Sequence, residues 1–242
     1  MLIFVIIALF AVVQSFFGVG LLVFGTPTLL LLDYTFAETL AALLPASLAV
    51  SFLQVWRGGP GIERGFVLQF GIWCLLPLSA ALAALLALHV QVNFSLLVAF
   101  VLVGFVVLRL FPAFSERTRG WVSAHKKLWL LVMGVVHGVS NLGGGFLTIL
   151  AAAQFRDKAR IRNVVAFCYL CFAAIQLCVL ALLISDEFGW IQFAYAATSA
   201  MVYLIIGRYI FRWASAPVFD RLFTTFMALY AALLVLQDLG IL

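Results

Sequence analysis

The sequence predicts an all-α integral membrane protein made of two inverted repeats of four segments each. Of its 242 residues, 67% are apolar and only 10% are charged, and the mean hydropathy is +1.24. Soluble domains are roughly half apolar and a quarter charged, so this composition indicates a membrane protein. The apolar runs are long and continuous, without the alternation of an outer-membrane β-barrel, and this pattern favours helices.

Eight apolar runs define the segments, since a bilayer-spanning helix needs about 20 apolar residues. The first run lacks the basic region and cleavage site of a signal peptide, so we expect it to be mature structure. The runs cover residues 1–32, 39–56, 65–88, 92–108, 128–155, 163–184, 190–207 and 222–237. The first and fifth are interrupted, by "QSFFGVG" (14–20) and by "HGVSNLGGG" (137–145). Glycine disfavours helix, so a helix break is predicted at each interruption.

The two interrupted segments correspond to each other at an offset of 123 residues. With this offset "GVGLLVFGTP" (18–27) lies over "NLGGGFLTIL" (141–150), and Gln14 falls on His137. The following stretch, residues 33–54, parallels residues 157–176. We therefore predict one membrane domain of two repeats, residues 1–115 and 125–242.

The basic residues predict how the repeats are oriented. All fourteen lysines and arginines lie in the connectors 57–64, 109–127, 156–162 and 208–221. If every segment crossed the membrane, the two sides would share them equally, against the positive-inside rule. If the first and fifth segments enter and return on one side, all fourteen lie on one face. The opposite face then carries Asp33, Glu38, His89, Asp186, Glu187 and Asp238.

This second arrangement is the prediction: six full spans and two re-entrant hairpins that enter from opposite faces, in a multi-pass protein of the bacterial inner membrane. Inverted repeats of this kind are typical of secondary transporters. The first helical arm of the fifth segment is expected to end at His137, with the glycine stretch at the hairpin tip. Non-helical backbone survives at membrane depth only where it is buried in protein or lines a cavity, so the tips predict the site.

The hairpin tips supply the chemistry of an anion site, because the second half-helix begins there with free N–H groups and a positive dipole end. Ser140 and Asn141 stand where capping residues belong. The alternative role for the glycines is close helix packing. Candidate substrate-binding residues in the second hairpin are His137, Ser140, Asn141, Gly143, Gly144 and Gly145. Those in the first hairpin are Gln14, Ser15, Gly18 and Gly20.

Five polar residues have two readings each. His137 is the only histidine inside an apolar run; it either binds a carbonyl in helix packing or acts as a substrate donor or proton carrier. Gln54 and Gln176 occupy corresponding places in segments two and six, where each either donates to the substrate or binds the hairpin backbone. Arg160 and Arg162 are read as anchors on the basic face, with anion collection as the alternative.

The stretches "GVSNLGGGFL" and "GVGLLVFGTP" resemble the paired G-x-G-G-G-x-x-x-x-P signature of the TauE/SafE sulfite exporter family. The resemblance covers nearly the whole chain, and the four-plus-four arrangement fits it. The chain departs from the signature at Leu21, Leu22, Asn141 and Leu150. The family handles sulfite, organosulfonates such as sulfoacetate and related small anions. The resemblance therefore implies a secondary transporter that exports such anions by alternating access, and leaves the substrate open.

Other classes of function find less support in the sequence. Nucleotide-binding loops, metal-ligand spacings and nucleophile–base pairs are missing from it, so no enzyme, no cofactor and no metal is expected. The C-x-x-C of Cys168 and Cys171 is read as helix packing. The net charge of +5 fits anionic lipid rather than nucleic acid. The expected partners are a small anion and the lipid bilayer, with a homodimer contact as an alternative role for Phe-rich faces. A passive anion channel, uptake of a related oxyanion, and an intramembrane enzyme or scaffold remain as alternatives.

Overall fold

Helices account for nearly all of the described chain. The computed structural model describes residues 1–58, 61–88, 93–110, 120–155, 157–184, 189–207, 209 and 216–241. The predicted repeat limits at 115 and 242, parts of the basic connectors, and His89, Asp186 and Glu187 lie outside these residues. The helices are α1 Leu2–Phe17, α2 Leu21–Leu31, α3 Phe36–Trp56, α4 Arg64–Ala87, α5 Phe94–Leu110, α6 Lys126–Ser140, α7 Gly144–Gln154, α8 Lys158–Leu183, α9 Trp190–Gly207 and α10 Ala216–Asp238.

The predicted all-α membrane class is confirmed, since the described residues contain no strand and several long apolar helices. By length and composition, α3, α4, α8 and α9 can each cross a membrane. The apolar parts of the other two predicted spans are shorter, at Phe94–Val107 in α5 and Thr224–Asp238 in α10. Opposed membrane orientation of the two halves stays a prediction.

The two interruptions are helix breaks, at Gly18–Gly20 and at Asn141–Gly143. The expected end of the first arm at His137 is wrong, because α6 continues to Ser140. Two contacts explain the longer arm: Gly138 packs against α4, and the Ser140 hydroxyl donates to the Val136 carbonyl within the helix at 2.6 Å. The 15 residues of α6 span about 22 Å, roughly three quarters of a bilayer core.

The segment 126–155 begins and ends at the same end of the molecule. Lys126 at its start and Phe155 at its finish line one pocket, together with Glu63 and Arg160 from the neighbouring connectors. Between these ends the Trp129 indole N–H donates to the Phe146 carbonyl at 3.1 Å, which ties α6 to α7. We call this the basic end.

The segment 1–34 also begins and ends at one end of the molecule. The Phe4 ring near the start of α1 packs on Tyr195, with ring centroids 5.0 Å apart. Tyr34, just after α2, lies near the same Tyr195. The neighbouring Asp33 accepts a hydrogen bond from Gln237 at 3.0 Å, near the end of α10. We call this the acidic end, and the two broken segments open at different ends.

Glycines set the position of α6 against α4. A Cβ on Gly134 would lie 2.3 Å from the Cys74 carbonyl oxygen, and one on Gly138 would lie 2.6 Å from that of Leu78. Two small residues four apart let the helix backbones touch, as in small-xxx-small contacts. The crossing falls beside a π-helical turn at Gly71–Leu75 in α4. Pro77, which lacks an N–H, follows that turn and accounts for the irregular hydrogen bonding there.

The centre of the molecule is formed by α3 and α8, which pack against each other and against the broken segments. A capping box between Thr35 and Glu38 fixes the start of α3. The buried polar side chains of α3 that face the first break are Ser47, Ser51 and Gln54. The second break is approached by side chains of α8, described with the site.

Candidate functional site

The two breaks share one backbone design. Gly18 follows α1 with φ 78° and Asn141 follows α6 with φ 61°, so both residues are in the left-handed region. Each donates its backbone N–H to the carbonyl four residues earlier, Gly18 to Gln14 and Asn141 to His137, both at 2.8 Å. This is the αL helix cap, which glycine or asparagine adopts with least strain. The 123-residue correspondence predicted from the sequence therefore holds at these positions in the structure.

A side-chain acceptor closes each break. The Gln14 Oε1 accepts the N–H of Leu21, the first residue of α2, at 3.2 Å. The His137 Nδ1 accepts the N–H of Gly143, just before α7, at 2.9 Å. These N–H groups were expected to be free for a ligand. In a dry site an unsatisfied donor is costly, and these two residues remove that cost.

The first break has a dense set of internal hydrogen bonds. The Gln14 amide donates to the hydroxyl of Ser51 at 3.0 Å and lies 3.3 Å from that of Ser47. The Gln54 amide donates to the Gln14 carbonyl at 3.0 Å. Of the two readings for Gln54, the structure shows the one in which it binds the hairpin backbone. Ser15 donates to its own helix at Ala11 and packs against Gly207, away from this cluster.

His137 is held in a defined tautomer at the second break. Because Nδ1 accepts the Gly143 N–H, the proton of the neutral ring lies on Nε2. The ring is fully buried and stacks on Phe172, with centroids 4.1 Å apart. Within the described part of the chain, Nε2 has no hydrogen-bond partner. The Gln176 side chain lies next to the ring, and its Oε1 also lacks a hydrogen bond among the described residues.

Asn141 links the two halves of the molecule. Its amide donates to the Thr26 hydroxyl of α2 at 2.9 Å, and its carbonyl oxygen lies 3.3 Å from the amide nitrogen of Gln176. The expected capping of α7 by Ser140 and Asn141 is wrong, because Gly143 is the N-cap and its N–H is accepted by His137 instead of by either of them. The left-handed conformation makes Asn141 the end of α6 instead and turns its amide toward α2 and α8.

Tyr169 is the site residue that the sequence reasoning missed. Its hydroxyl is fully buried and has no hydrogen-bond partner in the described chain. A Cβ on Gly144 would lie only 1.9 Å from this hydroxyl. The available signal was the helical stripe Tyr169, Phe172 and Gln176 on one face of α8. Val165 lies four residues earlier on α8, and a Cβ on Gly18 would be 3.1 Å from its side chain. The two breaks thus meet α8 about one turn apart.

The three consecutive glycines have different neighbours. A Cβ on Gly143 would lie 2.6 Å from that of His137, and one on Gly145 would lie 2.5 Å from the Phe105 ring. A Cβ on Gly20 of the first break would lie 2.7 Å from the Gln14 backbone nitrogen. Gly145 therefore has the packing role, whereas Gly144 lies beside the free hydroxyl of Tyr169. The predicted site residues His137, Asn141, Gly144 and Gln176 are brought together with that hydroxyl.

One comparison with known proteins assigns the family. Residues 3–234 match the family described as Sulfite exporter TauE/SafE, which is nearly the whole chain. The chain belongs to the TauE/SafE sulfite exporter family. It is accordingly a member of a family of membrane transporters for sulfite and related anions. Neither the curated proteins nor the solved structures gave a match.

The departure of this TauE/SafE member from the glycine signature at Asn141 has a physical explanation. The position requires a positive φ, and asparagine is the non-glycine residue that tolerates it best. The substitution keeps the backbone cap and adds a side chain that reaches Thr26 and Gln176. The structure accounts for this difference without any change in the break itself.

Proposed function

We propose that this protein is a secondary transporter that exports small sulfur-containing anions, sulfite or organosulfonates such as sulfoacetate, across the cytoplasmic membrane by alternating access. Family membership supports anion export as the class of function. The observation that carries the site is the pair of buried donors beside the second break, His137 Nε2–H and the Tyr169 hydroxyl, which have no hydrogen-bond partner among the described residues. Such donors cost about 1–3 kcal/mol each when unsatisfied, and an oxyanion satisfies both.

The chemistry of the second break suits a sulfonate or sulfite group. The N-terminus of α7 contributes a positive dipole end at Gly144, next to the Tyr169 hydroxyl. Both side-chain donors are neutral, and neutral hydrogen bonds to an anion are weaker than those from arginine. An anion held in this way is bound selectively and still released, which a transport cycle requires.

Burial of the site favours a transporter over a channel. His137, Tyr169 and Gln176 are fully closed to solvent, as are Gln14 and Asn141. A passive channel needs a continuous path, whereas alternating access passes through a closed state. The two broken segments open at different ends, and this arrangement supports inverted repeats with the basic end in the cytoplasm.

The membrane potential is the proposed driving force. Moving a monoanion out of a negative interior is favourable by about 2.3 kcal/mol per 100 mV, roughly a fiftyfold gradient. Proton coupling through His137 is the alternative. A second proton on its ring would occupy Nδ1 and break the bond from the Gly143 N–H. The geometry therefore favours potential-driven export without a proton.

The test is flux of sulfite and of sulfoacetate from proteoliposomes under an imposed potential, for the wild type and two conservative variants. Tyr169→Phe removes one donor, and His137→Asn keeps an acceptor for the Gly143 N–H while removing Nε2. We expect each to reduce flux at low substrate about tenfold or more, the loss of one hydrogen bond to a charged ligand. The matched control is Tyr230→Phe, which removes a hydroxyl hydrogen-bonded to that of Thr28 at 2.7 Å. The flux of this variant should match the wild type.

Saturable flux with counterflow supports the transporter, and flux that never saturates supports the channel alternative. Inward flux of either anion against the potential supports the uptake alternative. Equal flux in all three variants moves the site away from the second break. Flux that follows an imposed pH gradient with no potential present supports the proton-coupled alternative.

A further inference from the structure

A pocket of about 190 Å³ lies at the basic end, apart from the two breaks. Its walls come from the connector before α4, the start of α6, the end of α7 and the start of α8. The polar and charged side chains in the wall are Glu63, Gln69, Lys126, Gln154 and Arg160. Two cations and one carboxylate therefore share a small concave space at the end where the lysines and arginines gather.

Aromatic rings hold both cations in the pocket wall. The Lys126 ammonium nitrogen lies 5.0 Å from the centroid of the Phe66 ring. The Arg160 guanidinium carbon lies 4.5 Å from the centroid of the Phe155 ring. Cation–π contacts at these distances fix a cation without neutralising it. Both positive groups thus stay available to an anion.

The carboxylate of Glu63 now occupies the position that an oxyanion would take. Its Oε1 accepts from the Arg160 guanidinium at 2.9 Å, and its charge also acts on Lys126. The two side chains are 72% and 40% exposed, for Glu63 and Arg160 respectively. Exposed ion pairs contribute little stability, so another anion displaces such a carboxylate readily. A sulfonate or sulfite group also carries several anionic oxygens that can accept hydrogen bonds from the guanidinium.

A line of aromatic rings connects the pocket to His137. Phe66 in the pocket wall stacks on Phe70, with centroids 5.8 Å apart and planes 8° from parallel. Phe70 contacts Phe172 at 5.4 Å, and Phe172 stacks on the His137 ring at 4.1 Å. Phe70 and Phe172 are buried, so they separate the pocket from the second break by a dry layer. The pocket lies on the basic side of that layer.

We propose that this pocket is an oxyanion site in which an incoming anion displaces the Glu63 carboxylate from Arg160 and Lys126 before reaching the second break. The inference rests on the proposed function, since it names the entry site of the same anion. Glu63 is an internal competitor and sets the concentration at which the anion enters. A phosphate from an anionic lipid headgroup has the same chemistry, and the experiment separates the two sources.

The experiment measures sulfite flux against sulfite concentration in proteoliposomes of neutral phosphatidylcholine. Arg160→Gln and Lys126→Gln should each raise the half-saturating concentration about five- to tenfold, the loss of one charge-assisted contact, with maximal flux within about twofold. Glu63→Gln should lower the half-saturating concentration about two- to fivefold, because the competitor is gone. The matched control is Arg64→Gln, which removes an exposed charge next to Glu63 but outside the pocket wall and should change neither parameter.

The outcomes distinguish this inference from the proposed function. Wild-type vesicles without saturable sulfite flux overturn the proposed function. Saturable wild-type flux with an unchanged half-saturating concentration in Arg160→Gln and Lys126→Gln overturns the pocket site alone. Repeating the series with phosphatidylglycerol in the vesicles tests the lipid source. Variant effects that exist only with phosphatidylglycerol overturn free-anion entry, and equal effects in both vesicles support it.

Discussion

The two helix breaks have the same backbone and differ in how completely their polar groups are satisfied. Both use a left-handed cap, at Gly18 and at Asn141, and both close with a side-chain acceptor, from Gln14 and from His137. At the first break Gln14 is bonded on both sides of its amide. At the second break three buried atoms lack partners among the described residues: His137 Nε2, Tyr169 OH and Gln176 Oε1.

This difference supports the proposal that the first break is structural and that the second binds the anion. At the first break Gln54 Oε1 also lacks a partner among the described residues, but it is an acceptor, and the amide donors of Gln14 and Gln54 are bonded and hold the backbone around them. Removing one member of this cluster leaves the others unsatisfied. Unpartnered buried donors instead mark a place where a ligand completes the network. Under the proposed function, the first break is a fixed support and the second is the surface that meets the anion.

The largest expected effect comes from adding one methyl group to a glycine of each break. Gly20→Ala places a Cβ 2.7 Å from the Gln14 backbone nitrogen, which cannot move aside, so we expect about 3 kcal/mol or more of destabilisation and little folded protein. Gly144→Ala meets the Tyr169 hydroxyl and Val23 Cγ2, so the protein should fold and lose flux. Folded yield and flux are measured for both.

A control and a rescue sharpen this pair. Gly104→Ala, where the new Cβ meets nothing within 4 Å, should match the wild type in yield and flux. Adding Tyr169→Phe to Gly144→Ala removes the closest clashing atom and should restore part of the folded-state stability. If Gly20→Ala accumulates normally while Gly144→Ala does not, the assignment of the support and the ligand surface is reversed.

Replacing the two acceptors should destabilise the breaks unequally. Gln14→Leu leaves the Leu21 N–H without an acceptor and removes the partner of the Ser47 and Ser51 hydroxyls. His137→Leu leaves mainly the Gly143 N–H without an acceptor. At about 1–3 kcal/mol per unsatisfied buried group, Gln14→Leu should lower the free energy of unfolding roughly twice as much as His137→Leu does. Thermal unfolding in detergent measures this, at about 2–4 °C per kcal/mol. Equal midpoints would mean that Gln14 supports no more than His137 does.

Exchanging the cap residue tests the shared backbone design. Gly18→Ala forces a Cβ into a residue with φ 78° and should cost about 1–2 kcal/mol. Gly18→Asn borrows the residue of the second break and should cost less, since asparagine tolerates this conformation. Both variants bring a Cβ to 3.1 Å from Val165, so this contact is common to them, and asparagine differs from alanine in its backbone preference and in the amide beyond Cβ. Equal unfolding midpoints for the two variants would contradict the left-handed cap.

The smallest expected effect is at the bond between the halves. Thr26→Val keeps the shape of the side chain and removes the acceptor of the Asn141 amide, which costs about 1 kcal/mol. Flux should change little, because Thr26 holds Asn141 and is not itself an anion donor. A flux loss as large as that of Tyr169→Phe would place Thr26 in the binding surface.

Much of this design is readable from the sequence because it is local. Glycine position predicted both breaks, and the 123-residue offset paired Gln14 with His137 before any contact was known. Tyr169, Ser47 and Ser51 were not predicted, because each comes from another segment and reaches its break only through helix packing. The capping role given to Asn141 was wrong because asparagine suits a helix start and a left-handed helix end equally in sequence. Only the backbone conformation separates them.

The closing acceptor has a consequence for how such hairpins change over evolutionary time. Residues 14, 18 and 20 repeat the spacing of residues 137, 141 and 143: an acceptor side chain, a left-handed residue four positions later, and a glycine after six. The left-handed position tolerates few residue types. The acceptor position tolerates any side chain whose acceptor atom reaches the N–H group at the turn. A duplicated hairpin is therefore free to diverge at the first position while its turn is preserved. Glutamine at the first break and histidine at the second each accept an N–H of the turn, and of the two only histidine keeps a donor without a partner among the described residues.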